Sequence, residues 1–144
     1  MGEQVALVTG SSRGIGKAIA LMLAGDGFRI VLNYYDSPLE STELITQNEA
    51  QALQVLREIE QMGGQAMVVG ADVAAPDAAT RLVDQAAQAW GRLDVLVNNA
   101  GIIKDQLLVR ISDDEWDKLI RPNLNSAFYC TRAALKHMVK KRRG

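Results

Sequence analysis

An α/β fold with an open parallel sheet, wound on both faces by helices, is what this sequence predicts. Three observations carry that expectation. Short apolar runs alternate with amphipathic segments along the chain, joined by brief connections, which is the pattern of successive βαβ units. The first apolar run is continuous rather than alternating, as suits a strand covered on both faces. A glycine-rich turn then joins that run directly to a helical pattern.

Val5-Ala6-Leu7-Val8 is the first strand, closed by Thr9-Gly10-Ser11-Ser12. Ile15, Ala18, Ile19, Met22 and Leu23 recur at helical spacing and predict one buried helix face. Gly25 and Gly27 stop that helix. Phe28 to Leu32 forms the second strand, ending near Leu32 or Asn33. Asp36 to Asn48 is polar and contains Pro38, so it is either a surface loop or a loop running into an early helix start. Leu53, Leu56 and Ile59 mark the second helix, which Gly63-Gly64 ends. Ala66 to Val69 is the third strand. Leu82, Val83, Ala86 and Trp90 define a third helix, opened by Pro76-Asp77 and closed by Gly91. Leu93 to Val97 is the fourth strand. A sheet in spatial order 3-2-1-4 follows, with the glycine turn at its carboxyl edge.

The last long segment opens at Ser112, where Glu115 completes a capping box and Asp113 and Asp114 suit the positive helix end. It runs to Lys140 and is interrupted only by Pro122, which removes a hydrogen bond and bends the helix. Lys140, Lys141, Arg142 and Arg143 stand where the helix dipole favours positive charge. They are a solvated helix end, or a docking patch for an acidic partner protein.

The totals exclude several classes. The 144 residues are 48% hydrophobic and 23% charged with a net charge of −1, an ordinary globular balance with no general pull on nucleic acid. Length allows one domain, residues 1–144. No apolar stretch is long enough to span a membrane, and the start does not read as a signal peptide. Cys130 is the single cysteine, which fits a reducing cytoplasm, and it reads as a buried helix residue rather than a nucleophile. His137 has no partner at a telling distance in sequence and reads as a surface residue. No metal site is read from the sequence.

The chemistry concentrates in Thr9-Gly10-Ser11-Ser12-Arg13-Gly14-Ile15-Gly16, set between a strand and a helix. Glycines there permit a tight turn and let backbone N–H groups approach a pyrophosphate at the positive end of the helix. The spacing is Gly-x-x-x-Gly-x-Gly. A purely structural turn is the competing reading, and the flanking strand and helix favour binding. The fold is therefore expected to be of the Rossmann type.

This turn, Asp72-Val73 after the third strand, and Asn98-Asn99-Ala100-Gly101 after the fourth together resemble the short-chain dehydrogenase/reductase family over essentially the whole chain. The stretches Ile102-Ile103-Lys104-Asp105 and Asp114-Glu115-Trp116-Asp117 look most like its bacterial 3-oxoacyl-acyl-carrier-protein reductases. The resemblance implies that Gly10, Ser12, Arg13, Gly14, Ile15 and Gly16 hold the diphosphate and adenosine ribose of a nicotinamide cofactor. It implies that Asp72 accepts from the adenine amino group with Val73 beside it, and that Asn98, Ala100 and Gly101 line the ribose and brace the sheet. Asn123 matches the family asparagine that helps hold a water in the proton relay, at a point where the family's helix is distorted. Pro122 stands immediately before it and departs from the usual neighbour. On the residues alone, Asp72, Asn98 and Asn99 are equally turn formers.

An acid at the end of the second strand selects NAD, and a basic residue accommodates the NADP phosphate. The family resemblance puts the selecting position at Tyr34 and matches Arg13 to the basic residue of NADP-using members, so the expected cofactor is NADP. Asp36, about 20 residues past Gly16, keeps NAD open. Family members donate a proton from a tyrosine held by a lysine four positions later and a serine upstream. Tyr34, Tyr35 and Tyr129 are followed at that distance by Pro38, Leu39 and Ala133, so these 144 residues contain no such pair. The chain thus reads as an oxidoreductase domain truncated after the fourth strand and the long helix that follows. It is expected to be inactive alone, with a small-molecule or acyl-carrier-linked ketone as substrate. A homo-oligomer or a complex with a C-terminal fragment is expected, because the apolar fourth strand leaves an edge to cover. A non-catalytic nucleotide-binding or interaction module is the alternative.

Overall fold

The structure, a computed structural model, describes residues 4–144. Four strands, β1 (Val5–Val8), β2 (Arg29–Tyr34), β3 (Ala66–Gly70) and β4 (Val95–Val97), form one sheet in the order β3-β2-β1-β4. Every neighbouring pair is parallel, with Leu7 beside Val31 on one side and Leu96 on the other. Helices α1 (Gly14–Gly25), α2 (Thr42–Gln61) and α3 (Pro76–Ala89) connect the strands in turn. The expected α/β fold, strand order and direction are all present.

Side-chain alternation along β1 divides the core in two. Ala6 and Val8 join Ile30, Leu32, Ala20, Ala24, Val55 and Ile59 under α1 and α2. Val5 and Leu7 join Val31, Leu82, Val83, Ala86, Cys130, Ala133 and Ala134 on the opposite face. A doubly wound sheet needs two such faces. Each fully buried aliphatic side chain contributes on the order of 1.5–3 kcal/mol.

Several elements differ from expectation. On α1 the buried residues are Gly16, Ala20 and Ala24, while Ile15 is 74% and Met22 62% exposed and Ala18 is also exposed. Ile19 and Leu23 of the expected face do pack, partly buried, against this core, and Gly16 lies so close to the glycine turn that no side chain fits there. On α2 the buried residues are Ala52, Val55 and Ile59, and Leu53 is exposed. That helix begins at Thr42, capped by Ser41 Oγ accepting from Leu44 N–H, so the loop spans only residues 35–41 and the early start holds. β2 runs on to Tyr34, and β4 starts at Val95 rather than Leu93.

After β4 a wholly exposed stretch, residues 101–110, leads through a 3-10 turn (Leu108–Arg110) to α4 (Asp113–Ile120). Ser112 and Glu115 form the expected capping box. The single expected helix is three pieces. Arg121–Asn125 is a π-helical turn around Pro122, and α5 (Ser126–Lys141) follows. Proline has no N–H to donate, so the ladder widens there. His137 on α5 is not an unpartnered surface residue: its Nε2 lies 2.7 Å from Asp84 Oδ1 on α3, across the helix pair. The α5 face away from the sheet carries Leu124 of the π turn with Phe128, Leu135 and Val139, all exposed. Among the described residues no helix is long and apolar enough to cross a membrane.

Candidate cofactor site

The carboxyl edge of the sheet gathers the residues singled out by the sequence. Thr9, directly after β1, is buried, and its side chain organises the crossing to β4. Thr9 Oγ1 accepts from the N–H groups of Asn99 and Ala100, each at 3.0 Å. Asn99 in turn donates its amide to Thr9 O at 2.9 Å and Gly10 O at 3.0 Å. The bracing expected of Asn98 is therefore made by Asn99 and Thr9. Asn98 is exposed and donates to Thr131 Oγ1 of α5 at 3.0 Å.

Two glycines of the turn have steric reasons to be glycine. Gly10 has φ +62°, and a Cβ there would sit 3.0 Å from the Ala100 Cα. Gly16 lies so close to the turn that a Cβ would meet the Asn99 amide nitrogen at 2.5 Å. This close approach sets the first turn of α1 directly behind the glycine loop. At Gly14 a Cβ would meet nothing within 4 Å, but its φ of +57° favours glycine there all the same.

The α1 N-terminus has no side-chain cap, although α2 and α4 both have serine caps. Its first ladder bond runs from Lys17 N–H to Arg13 O. The preceding N–H groups are the four a helix leaves without an internal partner, and they carry the positive end of its dipole. Arg13 and Ile15 are exposed beside them, and Ser12 is half-buried. An open space before Gly14, uncapped donors and a flanking arginine fit a diphosphate-bearing cofactor.

Asn33, which the sequence reading passed over as a strand end, is central. It is 2% exposed, and its Oδ1 accepts from Gly10 N–H at 3.1 Å. Its Nδ2 donates to the carbonyls of Tyr34, Val69 and Ala71. Its backbone exchanges bonds with Ser11: Asn33 N–H donates to Ser11 Oγ, and Ser11 N–H donates to Asn33 O. A polar residue closing an otherwise apolar strand was the available signal.

Asp72 follows directly. Its Oδ1 accepts from Ala74 N–H at 2.9 Å, and its carbonyl accepts from Ala75 N–H, so it does cap the turn before α3. Val73 is buried beneath it. At the end of β2, Tyr34 is buried and folded across Gly70, where a Cβ would fall 2.7 Å from its hydroxyl and 2.8 Å from an Asp36 carboxylate oxygen. Burial, reinforced by Glu49 and Asp36, pushes the Tyr34 phenol above its ordinary pKa. The Tyr35 phenol is also raised, chiefly by burial, with Asp72 and Glu40 adding to it against a lowering bond with Ser37.

Asn123 lies in the π turn, with Nδ2 donating to Ile102 O at 3.0 Å and Leu119 O at 2.8 Å, and Oδ1 accepting from Ile102 N–H. It thereby ties the segment after Gly101 to the distorted helix, and Gly101 leaves no room for a side chain against its Oδ1. Cys130 is fully buried, and burial pushes its thiol up to about 11. A thiol so hidden and so weakly acidic is no nucleophile. Native chain treated with iodoacetamide at pH 8 is expected to stay unmodified, and intact mass checks it.

The fold and this edge define a doubly wound α/β domain with a glycine turn opening onto an uncapped helix. The family described as short chain dehydrogenase matches residues 4–144, and the chain belongs to it. It is 44% identical over 141 residues to a 3-oxoacyl-[acyl-carrier-protein] reductase of Synechocystis sp., covering 98% of this chain and 53% of that protein. It is 40% identical over 139 residues to proteins of the same name from Staphylococcus epidermidis and Staphylococcus aureus, covering 96% of this chain and 52% of each. The chain spans about half the length of the curated relatives it matches.

Proposed function

We propose that residues 1–144 are the dinucleotide-binding domain of an NADP(H)-dependent oxidoreductase of the short-chain type, acting on a ketone as 3-oxoacyl-acyl-carrier-protein reductases do. The uncapped N-terminus of α1, behind a glycine turn with open space before it, carries this reading. Identity of 40–44% to relatives named for a carrier-linked ketone supports the substrate class.

Ser12, Arg13, Gly14, Ile15 and Gly16 would hold the diphosphate and ribose, with Gly10 shaping the turn. Asp72 and Val73 would flank the adenine. Asn98, Ala100 and Gly101 would line the second ribose, and Asn123 would arrange relay water. When bound, the cofactor supplies a hydride for the substrate carbonyl carbon. Among these residues none is a proton donor to the resulting oxygen, and the tyrosines at 34 and 35 are both shifted toward weaker acidity. The second reading is a nucleotide-binding module without catalysis of its own. A cytoplasmic role in fatty acid biosynthesis follows from the first reading. So does association as a homo-oligomer or with a C-terminal fragment, through the free edge of β4 and the apolar face of α5.

NADPH is expected to bind about tenfold more tightly than NADH, a difference of about 1.4 kcal/mol. Arg13→Ala should erase it, because Arg13 would be the basic residue beside the ribose and Tyr34 would stand where NAD-using members carry the selecting acid. Calorimetric titration of both cofactors checks this. Equal or reversed affinities in the unmodified chain would transfer selection to Asp36, which lies beside the Tyr34 hydroxyl.

A further inference from the structure

We propose that Asn33 is a positioning residue: one buried carboxamide fixes both the glycine turn and the β3 edge that leads into Asp72, and so sets the site for the adenosine diphosphate half of the cofactor. The inference rests on the dinucleotide reading above and deepens it.

Its partners dictate the chemistry. Gly10 N–H requires an acceptor, and the carbonyls of Tyr34, Val69 and Ala71, at 3.0, 3.2 and 3.3 Å, require a donor. Only a primary carboxamide offers both at this reach, and these partners fix its orientation. Two N–H bonds serve three carbonyls, so Nδ2 is fully engaged. The four contacts belong to three different segments: the turn after β1, the end of β2, and β3 with the residue just before Asp72. Moving any one of them moves the others. The arrangement also sorts the donors of the turn. The N–H groups of Gly10 and Ser11 are held by Asn33, so the groups left for an anion begin at Ser12 and run to Gly16.

Asn33→Asp keeps the size and the acceptor but sets an oxygen against three carbonyl oxygens. Val83→Ala, on α3 in the apolar core and outside the contacts of Asn33, serves as a control for lost stability alone. With each protein verified as folded at the assay temperature, ADP and NADPH are titrated by calorimetry. Asn33→Asp is expected to weaken ADP by about tenfold or more, while Val83→Ala binds it as the unmodified chain does even if its melting temperature is lower. Asn33→Asp binding ADP within about threefold of the unmodified chain overturns the proposal alone. If the unmodified chain binds neither ADP nor NADPH, the proposal and the dinucleotide reading fall together.

Amide exchange on the unmodified chain keeps the test independent of whether Asn33→Asp folds. The Gly10 amide is expected to be protected without nucleotide and unchanged on adding ADP, while amides from Ser12 to Gly16 slow about tenfold or more. A Gly10 amide that exchanges freely before ADP and slows with the others would mean that the ligand, not Asn33, holds it.

Discussion

Purified as these 144 residues, the chain is expected to reduce an acetoacetyl thioester no faster than the uncatalysed background, while still binding NADPH. A positioned general acid contributes about 10²–10⁴-fold to such a step, and its usual form in this family is a tyrosine whose pKa a lysine lowers. No Tyr-x-x-x-Lys occurs in the sequence. Tyr34 and Tyr35 are displaced in the opposite direction, by burial and by the carboxylates of Glu49, Asp36, Asp72 and Glu40. Asn123 has its amide engaged with Ile102 and Leu119, and it carries no proton to give at neutral pH. The assay is NADPH oxidation with thioester present and absent, with molecular size measured alongside. Addition of a fragment bearing a serine and Tyr-x-x-x-Lys should raise the rate by at least about 10²-fold if it completes the site. Clear turnover by the chain alone would overturn the missing-acid argument. A stable monomer would count against association through the β4 edge and the Phe128–Leu135 face.

The strands were legible because each is a continuous apolar run, and burial on both faces leaves no competing pattern. Strand order followed from the glycine turn, which fixes β1 as the strand at the crevice. Helix faces were less legible. Counting large apolar residues chose Ile19 and Leu23, which pack partly buried, together with Ile15 and Met22, which are exposed. The fully buried positions are Gly16, Ala20 and Ala24, and at Gly16 the closeness of the turn excludes any side chain. The site was legible wherever a residue type serves a backbone purpose, as at Gly10 and Gly16. It was not legible where function rests on a buried side chain holding backbone from distant segments. Asn33 and Thr9 each join pieces of chain far apart in sequence, and a polar residue at the end of an apolar strand is all that marks them locally. The His137–Asp84 pair, 53 residues apart, was hidden for the same reason.

Asp94→Ala is expected to lower stability by about 1–3 kcal/mol, the cost of leaving a buried donor without its acceptor. Asp94 lies just before β4 with its side chain 4% exposed. It accepts from Val5 N–H at 2.9 Å, which fastens the start of β1, and takes both Nε and Nη2 of Arg92 at 2.7 Å. Arg143 Nε, beyond the end of α5, stands 3.7 Å away. Burial alone would raise the Asp94 pKa, yet the bonds from Arg92 and Val5 and the charges of Arg92 and Arg143 outweigh it and hold the carboxyl below its ordinary value. Alanine leaves Val5 N–H without its buried acceptor and Arg92 without its carboxylate. The pH dependence follows from the same shift. A carboxyl whose folded pKa is depressed binds fewer protons folded than unfolded, so its contribution is present above the unfolded pKa of about 3.9. It is lost as pH falls below that value and through the folded pKa. Urea midpoints of the unmodified chain should therefore drop below about pH 4, and Asp94→Asn should flatten that drop. Glu115, held down to about 2 by Lys104 and Ser112, titrates in the same range but stands at the surface and is present in both proteins. The difference between the two curves isolates Asp94, and parallel curves would show that its carboxylate is not what fastens β1 to β4.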